Sequence, residues 1–439
     1  MKNSKKILFA LVLALFALFV TACSSSKNDA EGSNKTGELS GEIVMWHSFT
    51  QGPRLESIQK SADEFMKKHP KVKIKIETFS WNDFYTKWTT GLANGNVPDI
   101  STALPNQVME MVNSDALVPL NDTVKKIGED KFNKTALDEA KVDGNFYSVP
   151  LYSHAQVMWV RTDLLKQYNI EVPKTLEDLE KACDTFLENG ITPFTLANST
   201  KWTGSMYFQC LAARKGGLEP FQKAADGTGS FEDESFEWAG EKIQEWVNKG
   251  YFPDGFNSMS EDDGQSRQLF YQETAAMYLI GSWATANLKT DSEDGGSDFY
   301  DKVGWFSFPA ISDSNADSSI LCGTMGDQFI SFNCEGEKLD AAFELASYLS
   351  SEEVVDFMVE SSLIPPVKGI EDKITDPVSK SIVEAANNAS AVQLWYDQYL
   401  DPSVANAHLD GNQEVFGLTM TPAEANKKMQ DAQQEYLNK

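Results

Sequence analysis

Aromatic side chains stand where predicted strands and loops end, and their type and spacing could supply stacking surfaces for a ligand. Five of them sit beside small or polar residues and a sixth lies on a late helix: Trp46, Trp81, Tyr152, Trp202 and Trp283, then Trp395. Aromatic faces suit the apolar C–H faces of sugar rings, whose hydroxyls need polar partners. One stacked ring that covers about 100 Å² contributes roughly 2.5 kcal/mol. Several such rings in one cleft would support micromolar affinity.

Four other tryptophans fall inside periodic apolar patterns, which indicates core packing and not ligand contact. They are Trp88, Trp159, Trp238 and Trp246. Core packing is the alternative interpretation for any single tryptophan, because a large apolar ring is most often buried. The position at a strand or loop end is therefore what separates the two groups.

The stretch 141–165 carries polar groups beside one of the six aromatics. It is predicted to form two strands, at 146–149 and 155–160, with a corner between them that contains Tyr152, Ser153 and His154. A ring, a hydroxyl and an imidazole at a strand end suit a polar ligand site. An ordinary bend with an exposed tyrosine and histidine is the alternative.

The elements that must position these residues alternate between strands and helices. Residues 42–46 and 72–76 alternate as strands, and a helix with one apolar face follows each of them. Later strands are predicted at 192–197, 275–280, 303–308 and 328–332. This order is typical of the α/β class. Ligands of open α/β sheets bind beyond the carboxyl ends of the strands, so the aromatic exits should converge on one cleft.

The first 22 residues are predicted to be an export signal. Three lysines precede an unbroken apolar run at 7–20, which is too short to span a bilayer but suits a secretory signal. Residues 20–23 resemble the bacterial lipoprotein box, in which Cys23 is joined to diacylglycerol and becomes the new N-terminus. A plain signal peptide cut near Ala22 is the alternative. Residues 23–40 are mostly small and polar and predict a disordered tether.

The chain is strongly acidic, with a formal net charge of −27. Loss of the signal and its three lysines makes this −30. Such a charge argues against nucleic acid or anionic lipid as the ligand, because both require a basic surface. The acidic clusters at 232–234, 261–263 and 291–298 are interpreted as solvated loops. A calcium loop is the alternative, although none has EF-hand ligand spacing.

Cysteine and histidine patterns predict neither a disulfide scaffold nor a metal site. Besides Cys23, the chain has four cysteines, whose pairing stays open: Cys183, Cys210, Cys322 and Cys334. Its four histidines, His47, His69, His154 and His408, lack metal-ligand spacing, and no motif for a hydrolase or a nucleotide site appears. No cofactor, metal or catalytic residue is therefore expected.

Over about 400 residues the chain resembles the family 1 extracellular solute-binding proteins, the carbohydrate receptors of ATP-binding-cassette importers. The resemblance rests on the order and spacing of the strand at 42–46, GNVPDI at 95–100, VMWVRTDLL at 157–165, AAMYLIGSW at 275–283 and Pro365-Pro366. It implies a two-lobed periplasmic-binding-protein-like fold of type II with three crossovers between the lobes. It also implies a saccharide ligand, two transmembrane permease subunits and an ATPase as partners.

The resemblance also implies positions for the site and the lobes. One wall would hold Trp46, His47, Ser48 and Asn106, the hinge would hold Tyr152 and His154, and the opposing wall would hold Trp202, Trp283 and Trp395. It extends to Met325, although the loop at 323–325 offers no charged or aromatic residue. The lobes would comprise 41–151 with 321–362, and 152–320 with 363–439.

Three classes of function are weighed against one another. The favoured one is a monomeric receptor, anchored outside the cytoplasm through Cys23 alone, that binds an oligosaccharide. A receptor for a polyamine, a metal or another solute would place acidic residues at the strand exits, where aromatic and neutral polar ones dominate. A surface glycoside hydrolase would need two carboxyl groups across the scissile bond, and the sequence nominates no such pair.

Overall fold

A computed structural model describes residues 38–323 and 328–438. The predicted signal, Cys23, most of the predicted tether and Met325 lie outside the described residues. Strands and helices alternate through the described part, as the sequence predicts, and the strands form two main sheets.

The first sheet has five strands in the order β2-β1-β3-β12-β6. β1 runs parallel to β2 and β3, and β12 runs antiparallel to β3 and β6. The strands are β1 (Gly41–His47), β2 (Val72–Thr78), β3 (Ile100–Ala103), β6 (Ser148–Tyr152) and β12 (Gln328–Phe332). The carboxyl ends of β1 and β3 therefore meet at one edge of this sheet.

The second sheet has four strands in the order β10-β7-β9-β8. β8 and β9 are parallel, and β7 is antiparallel to both of its neighbours. The strands are β7 (Gln156–Arg161), β8 (Thr192–Thr195), β9 (Ala275–Gly281) and β10 (Val303–Phe306). Two short pairs complete the strands, β4 (Lys141–Val142) with β5 (Asn145–Phe146) and β11 (Leu321–Cys322) with β13 (Val392–Gln393).

Helices flank both sheets, and their bounds follow the apolar periodicity of the sequence. They are α1 (Gly52–Lys68), α2 (Trp81–Asn94), α3 (Pro105–Asn113), α4 (Asn121–Ile127), α5 (Lys134–Glu139), α6 (Thr162–Gln167), α7 (Leu176–Glu188), α8 (Trp202–Gly216), α9 (Glu219–Ala225), α10 (Glu234–Lys249), α11 (Gln265–Tyr271), α12 (Ala284–Asp294), α13 (Glu337–Leu349), α14 (Glu352–Glu360), α15 (Pro377–Asn388), α16 (Tyr396–Tyr399), α17 (Pro402–Phe416) and α18 (Pro422–Leu437). Short 3₁₀ turns lie at Glu129–Lys131, Phe256–Ser258 and Tyr300–Lys302.

Local capping explains where several helices begin. Thr175 and Asp178 form a capping box at the start of α7, and Thr421 and Glu424 form another at α18. Each box satisfies amide groups that have no partner inside the helix, which stabilises a helix end by about 1 kcal/mol. These two ends therefore follow from local sequence alone.

Two predicted strands are shorter in the structure than in the sequence pattern. β8 ends at Thr195 and β10 ends at Phe306, each two residues before the predicted end. The carbonyl of Ala197 accepts from Thr203 Oγ1, and the carbonyl of Phe308 accepts from Arg214 Nε. Both carbonyls are thus bonded to α8 and not to a neighbouring strand.

Each main sheet has its own apolar core. The first core surrounds the five-stranded sheet and includes Phe65 and Trp88, and the second core surrounds the four-stranded sheet and includes Trp159 and Trp246. The prediction of core packing is confirmed for these three tryptophans, whereas Trp238 is only half-buried at the edge of the second core.

The chain passes between the two sheets more than once. It leaves the first sheet at residues 153–155, between β6 and β7, and it is back in the first sheet at β12. After α14 it goes back, because the later helices pack on the second core. The corner predicted at 141–165 is thus confirmed as the first of these passages, and the described residues form one compact unit.

The four cysteines of the described part are buried free thiols. Within this part of the chain, no helix is both long enough and apolar enough to cross a bilayer.

Candidate functional site

A groove runs between residues attached to the two sheets. The space along its first compartment amounts to about 900 Å³ and that along its second to about 1040 Å³, with open solvent included in both volumes. Trp81, Trp202 and Asp397 line both compartments, so the two are continuous. The lining of the first compartment includes Ser48, Phe49, Gln51, Arg54, Gln209, Glu261, Asp262, Arg267, Trp283, Trp395 and Gln398.

Three of the predicted tryptophans form one aromatic cluster in the first compartment. The ring of Trp283 lies 6.0 Å from Trp202 and 5.5 Å from Trp395, the latter edge-to-face. A Cβ atom at Gly281 would lie only 1.9 Å from the Trp283 ring. The ring can therefore take this position only because β9 ends in glycine. Trp81 lines the same groove from the start of α2.

Hydrogen bonds hold Trp395 in its orientation. Its indole Nε1 donates to Gln156 Oε1 at 3.0 Å, and Gln209 Nε2 donates to the same oxygen at 2.8 Å. Gln156 Nε2 in turn donates to the carbonyl of Met206 at 2.9 Å. This buried network joins β7, α8 and the segment before α16, so the ring is fixed before any ligand arrives.

Arg54 places a positive charge against the aromatic cluster. Its guanidinium lies 4.7 Å from the Phe49 ring centre and 5.5 Å from that of Trp283, within cation–π range. Nearby, Gln51 Nε2 donates to the carbonyl of Asp262 at 3.0 Å. Residues attached to the first sheet therefore contact residues attached to the second across this compartment.

Two carboxyl groups in the groove lining have strongly perturbed acidity. Burial raises the pKa of Glu261 to about 7, although its oxygens accept hydrogen bonds from Ser266 Oγ and Tyr278 OH. Burial likewise raises the pKa of Asp397 to about 7. Perturbed carboxyl groups in a cleft are typical of functional sites. The interpretation of 261–263 as a solvated loop is therefore wrong for Glu261 and Asp262, which line the groove.

The structure brings six of the predicted residues into the groove lining. Ser48, Trp81, Trp202, Trp283 and Trp395 line the first compartment, and Asn106 lines the second. The hydroxyl of Ser48 is buried without a hydrogen-bond partner among the described residues. It is thus available to a ligand hydroxyl.

Four predicted residues lie behind the lining and do not form it. Trp46 is buried in the first core, edge-to-face on Phe79, and Tyr152 is buried edge-to-face on Phe49. The sequence predicts both residues in the cleft wall. In the structure, a second aromatic ring packs against each of them and separates it from the groove. They support the wall from within the core.

The two predicted histidines are also buried. Nδ1 of His47 accepts from the Phe49 amide at 3.2 Å, and burial lowers the pKa of His47 to about 4. His154 lies edge-on to Trp283 at 4.9 Å, and burial lowers its pKa as well. Both are neutral at pH 7 and position lining residues.

Sequence reasoning missed the charged members of the lining. Arg54 lies only one turn into α1, eight residues after Trp46, and Asp397 lies two residues after Trp395. Proximity to the predicted aromatics was therefore a usable signal for both. Glu261 and Arg267 carry no comparable signal, because they lie in a polar loop and a short helix before β9.

Known proteins with similar sequences bind sugars. A multiple sugar-binding protein of Streptococcus mutans is 25% identical over 387 residues, covering 86% of each chain. The maltodextrin-binding protein MdxE of Bacillus subtilis is 28% identical over 289 residues, covering 64% of each chain.

Solved structures show the same fold. One, solved in a study of xylan utilization by the thermophilic bacterium Caldanaerobius polysaccharolyticus, superposes with a TM-score of 0.80 at 26% identity. It covers 89% of this chain and 99% of that one. A chitin oligosaccharide binding protein superposes with a TM-score of 0.82 at 24% identity, covering 90% of this chain and 98% of that one. The chain therefore has the type II periplasmic-binding-protein fold.

Residues 51–356, well over half of the chain, match the bacterial extracellular solute-binding protein family. Taken with the two-sheet fold and the groove between the sheets, this match means that the chain belongs to the bacterial extracellular solute-binding protein family.

Proposed function

We propose that this protein is a lipid-anchored receptor that binds an oligosaccharide in the groove and delivers it to an ABC permease. The observation that carries the proposal is the cluster of Trp202, Trp283 and Trp395, which offers aromatic surface in the same groove as the Ser48 hydroxyl, a group without a hydrogen-bond partner among the described residues. Sugar rings combine apolar faces with hydroxyls, so this combination suits them. Similar proteins named for maltodextrin and multiple sugars support the same ligand class.

Binding and transport would be coupled through closure of two lobes. The proposed lobes comprise 41–151 with 321–362, and 152–320 with 363–439. A ligand that touches Ser48 and Arg54 on one side and Trp283 on the other gains both sets of contacts only when the lobes are together. It therefore shifts the open–closed equilibrium toward the closed form. Two permease subunits and their ATPase would read that closed form of a monomeric receptor.

The proposal includes binding without catalysis. Carboxyl groups line the groove, but that of Glu261 is engaged by Ser266 and Tyr278. An oligosaccharide incubated with the protein should be recovered with its length unchanged by mass spectrometry. Shortened products would favour a glycoside hydrolase instead.

A saccharide panel tests the receptor function. We expect one or more oligosaccharides to raise the unfolding temperature and to bind with a micromolar Kd by calorimetry. At saturation, small-angle scattering should show a smaller radius of gyration, because closure makes the protein more compact. A panel without a stabilising sugar, or an unchanged radius with a bound sugar, would contradict receptor function or closure respectively.

Anchoring through Cys23 has its own test. A Cys23→Ala chain with the same signal cannot be joined to diacylglycerol, so we expect it in the culture supernatant or periplasm and the parent chain in the membrane fraction. Cys334→Ala is a matched control, because that thiol is buried in the folded part. Membrane retention of the Cys23 variant would rule out this anchor.

A further inference from the structure

The second compartment of the groove carries a single charge. Of the described residues that line it, Asp397 is the only charged one, and its neighbours include Trp81, Trp202, Asn106 and Thr200. Trp81, Trp202 and Asp397 also line the first compartment, so they mark where the two compartments join. A ligand that extends from the tryptophan cluster into the second compartment must pass this carboxyl group.

The carboxyl group of Asp397 has no partner side chain in the part of the chain that the structure describes. No described residue forms an ion pair with it or donates a side-chain hydrogen bond to it, and only its own backbone N–H opposes the effect of burial, which raises its pKa to about 7. Asp397 is half-buried, and a carboxylate that is partly withdrawn from water without a nearby cation is less stable than a paired one. A ligand that brought a positive charge here would stabilise the carboxylate.

A second unpartnered acceptor lies next to Asp397. The side chain of Asn106 is 4% exposed, and its Nδ2 donates to the carbonyls of Asp397 and Leu400 at 2.9 and 2.8 Å. These two carbonyls can accept only from the NH₂ group, which fixes the orientation of the amide. Its Oδ1 is buried and has no hydrogen-bond partner among the described residues.

A third unpartnered acceptor belongs to the next residue of α16. Gln398 is 7% exposed, and its Oε1 has no partner within the described chain. It lines the first compartment beside Asp397. Asp397 and Asn106 therefore offer acceptors to the second compartment, where Trp202 Nε1 and Thr200 Oγ1 also have no partner among the described residues.

We propose that this recess binds a protonated amine, so that the ligand is a saccharide with an unsubstituted amino sugar. An ammonium group has three donors and no acceptor, so it can supply the positive charge that Asp397 lacks among the described residues and a donor for Asn106 Oδ1. Trp81 and Trp202 line the same recess and can add cation–π attraction. The hydroxyls of a neutral sugar can donate to the same oxygens but bring no positive charge to the carboxylate. Calcium requires six to eight oxygen ligands, more than this recess offers.

The inference rests on the proposed receptor function and names its substrate class. Its test uses three ligands that differ in one group. They are β-1,4-linked tetrasaccharides of glucosamine, of N-acetylglucosamine and of glucose, measured by calorimetry at pH 7 in low salt. The free amine should bind at least tenfold more tightly than the other two, because only it pairs with the carboxylate.

Asp397→Asn is the matching variant. It keeps the shape of the side chain, and we expect it to weaken glucosamine binding by about tenfold or more while the glucose tetrasaccharide changes less than about threefold. Asp313→Asn, which removes an exposed charge outside the groove, should leave all three affinities unchanged. Unfolding temperatures of both variants establish that they fold.

The outcomes separate the two proposals. Equal or weaker binding of the amine, or an Asp397→Asn variant that loses all three ligands alike, overturns the amine site and leaves the receptor function standing. The amine site is also overturned, and the receptor function still stands, if other members of the saccharide panel bind and none of these three does. If no saccharide binds at all, the receptor function and the amine site both fail.

Discussion

Replacing Trp283 by alanine is expected to weaken saccharide binding by about 50- to 100-fold. This residue contacts Trp202, Trp395 and Arg54, so its ring is the centre of the aromatic cluster. A stacked sugar that covers about 100 Å² of apolar surface loses roughly 2.5 kcal/mol when the ring is removed. Calorimetry with the best ligand of the panel measures the change.

Trp238→Ala is the matched control for this prediction. Trp238 is also half-buried and packs near two lysines, but it is not part of the groove lining. The Trp238→Ala variant should have a lower unfolding temperature, while its affinity for the saccharide stays within about twofold of that of the parent chain. If Trp283→Ala binds as well as this control, the aromatic cluster is not the sugar-binding surface.

Replacing Glu261 by glutamine is expected to remove a pH-dependent loss of stability. Burial raises the pKa of Glu261 from its usual 4.5 to about 7, while Ser266, Tyr278 and Arg267 act in the opposite direction and Asp262 adds to the rise. A folded-state pKa above the unfolded value means that the folded chain holds the proton more tightly. The stability from this group is thus complete below about pH 4.5 and is lost as the pH rises to about 7.

The magnitude of this loss is on the order of 3 kcal/mol. Urea unfolding between pH 4 and 8 measures it as the difference in unfolding free energy between the variant and the parent chain. That difference should grow with pH in favour of the variant, because glutamine does not titrate. Its amide oxygen can accept from one of the two hydroxyls, of Tyr278 and Ser266, while its NH₂ group donates to the other. The difference between the chains also cancels the titration of other buried groups, such as Asp397 and His47.

Glu188→Gln is the control for charge alone. Glu188 is exposed at the end of α7, so its replacement removes one negative charge from an acidic chain without touching the groove. If the unfolding free energies of Glu261→Gln and the parent chain change in parallel across this pH range, the carboxyl group of Glu261 is not held in its uncharged form.

Much of the fold was predictable because its signals are local. In the stretch 141–165, turn residues at 143–145 precede two predicted strands at 146–149 and 155–160, and the structure has β6 and β7 there. Thr175 with Asp178 and Thr421 with Glu424 cap helices through bonds that span three residues. Strand ends were less predictable, since the carbonyls of Ala197 and Phe308 bond to side chains of α8.

The candidate site was predictable only in part. Trp81, Trp202, Trp283 and Trp395 stand at element ends in the sequence, and all four line the groove. The same signal was misleading for Trp46 and Tyr152, which lie behind the lining. A strand end shows where a side chain lies along the chain but not which neighbour covers it, and here Phe79 and Phe49 do so.

The sequence by itself determined the alternation of strands and helices, the acidic charge and the presence of aromatic rings at element ends. Only the tertiary structure decided which charges meet those rings. Arg54, Glu261 and Asp397 are separated by more than a hundred residues from one another, yet they line one groove. The acidity of a carboxyl group depends on burial and on through-space neighbours, and both exist only after the two cores have packed.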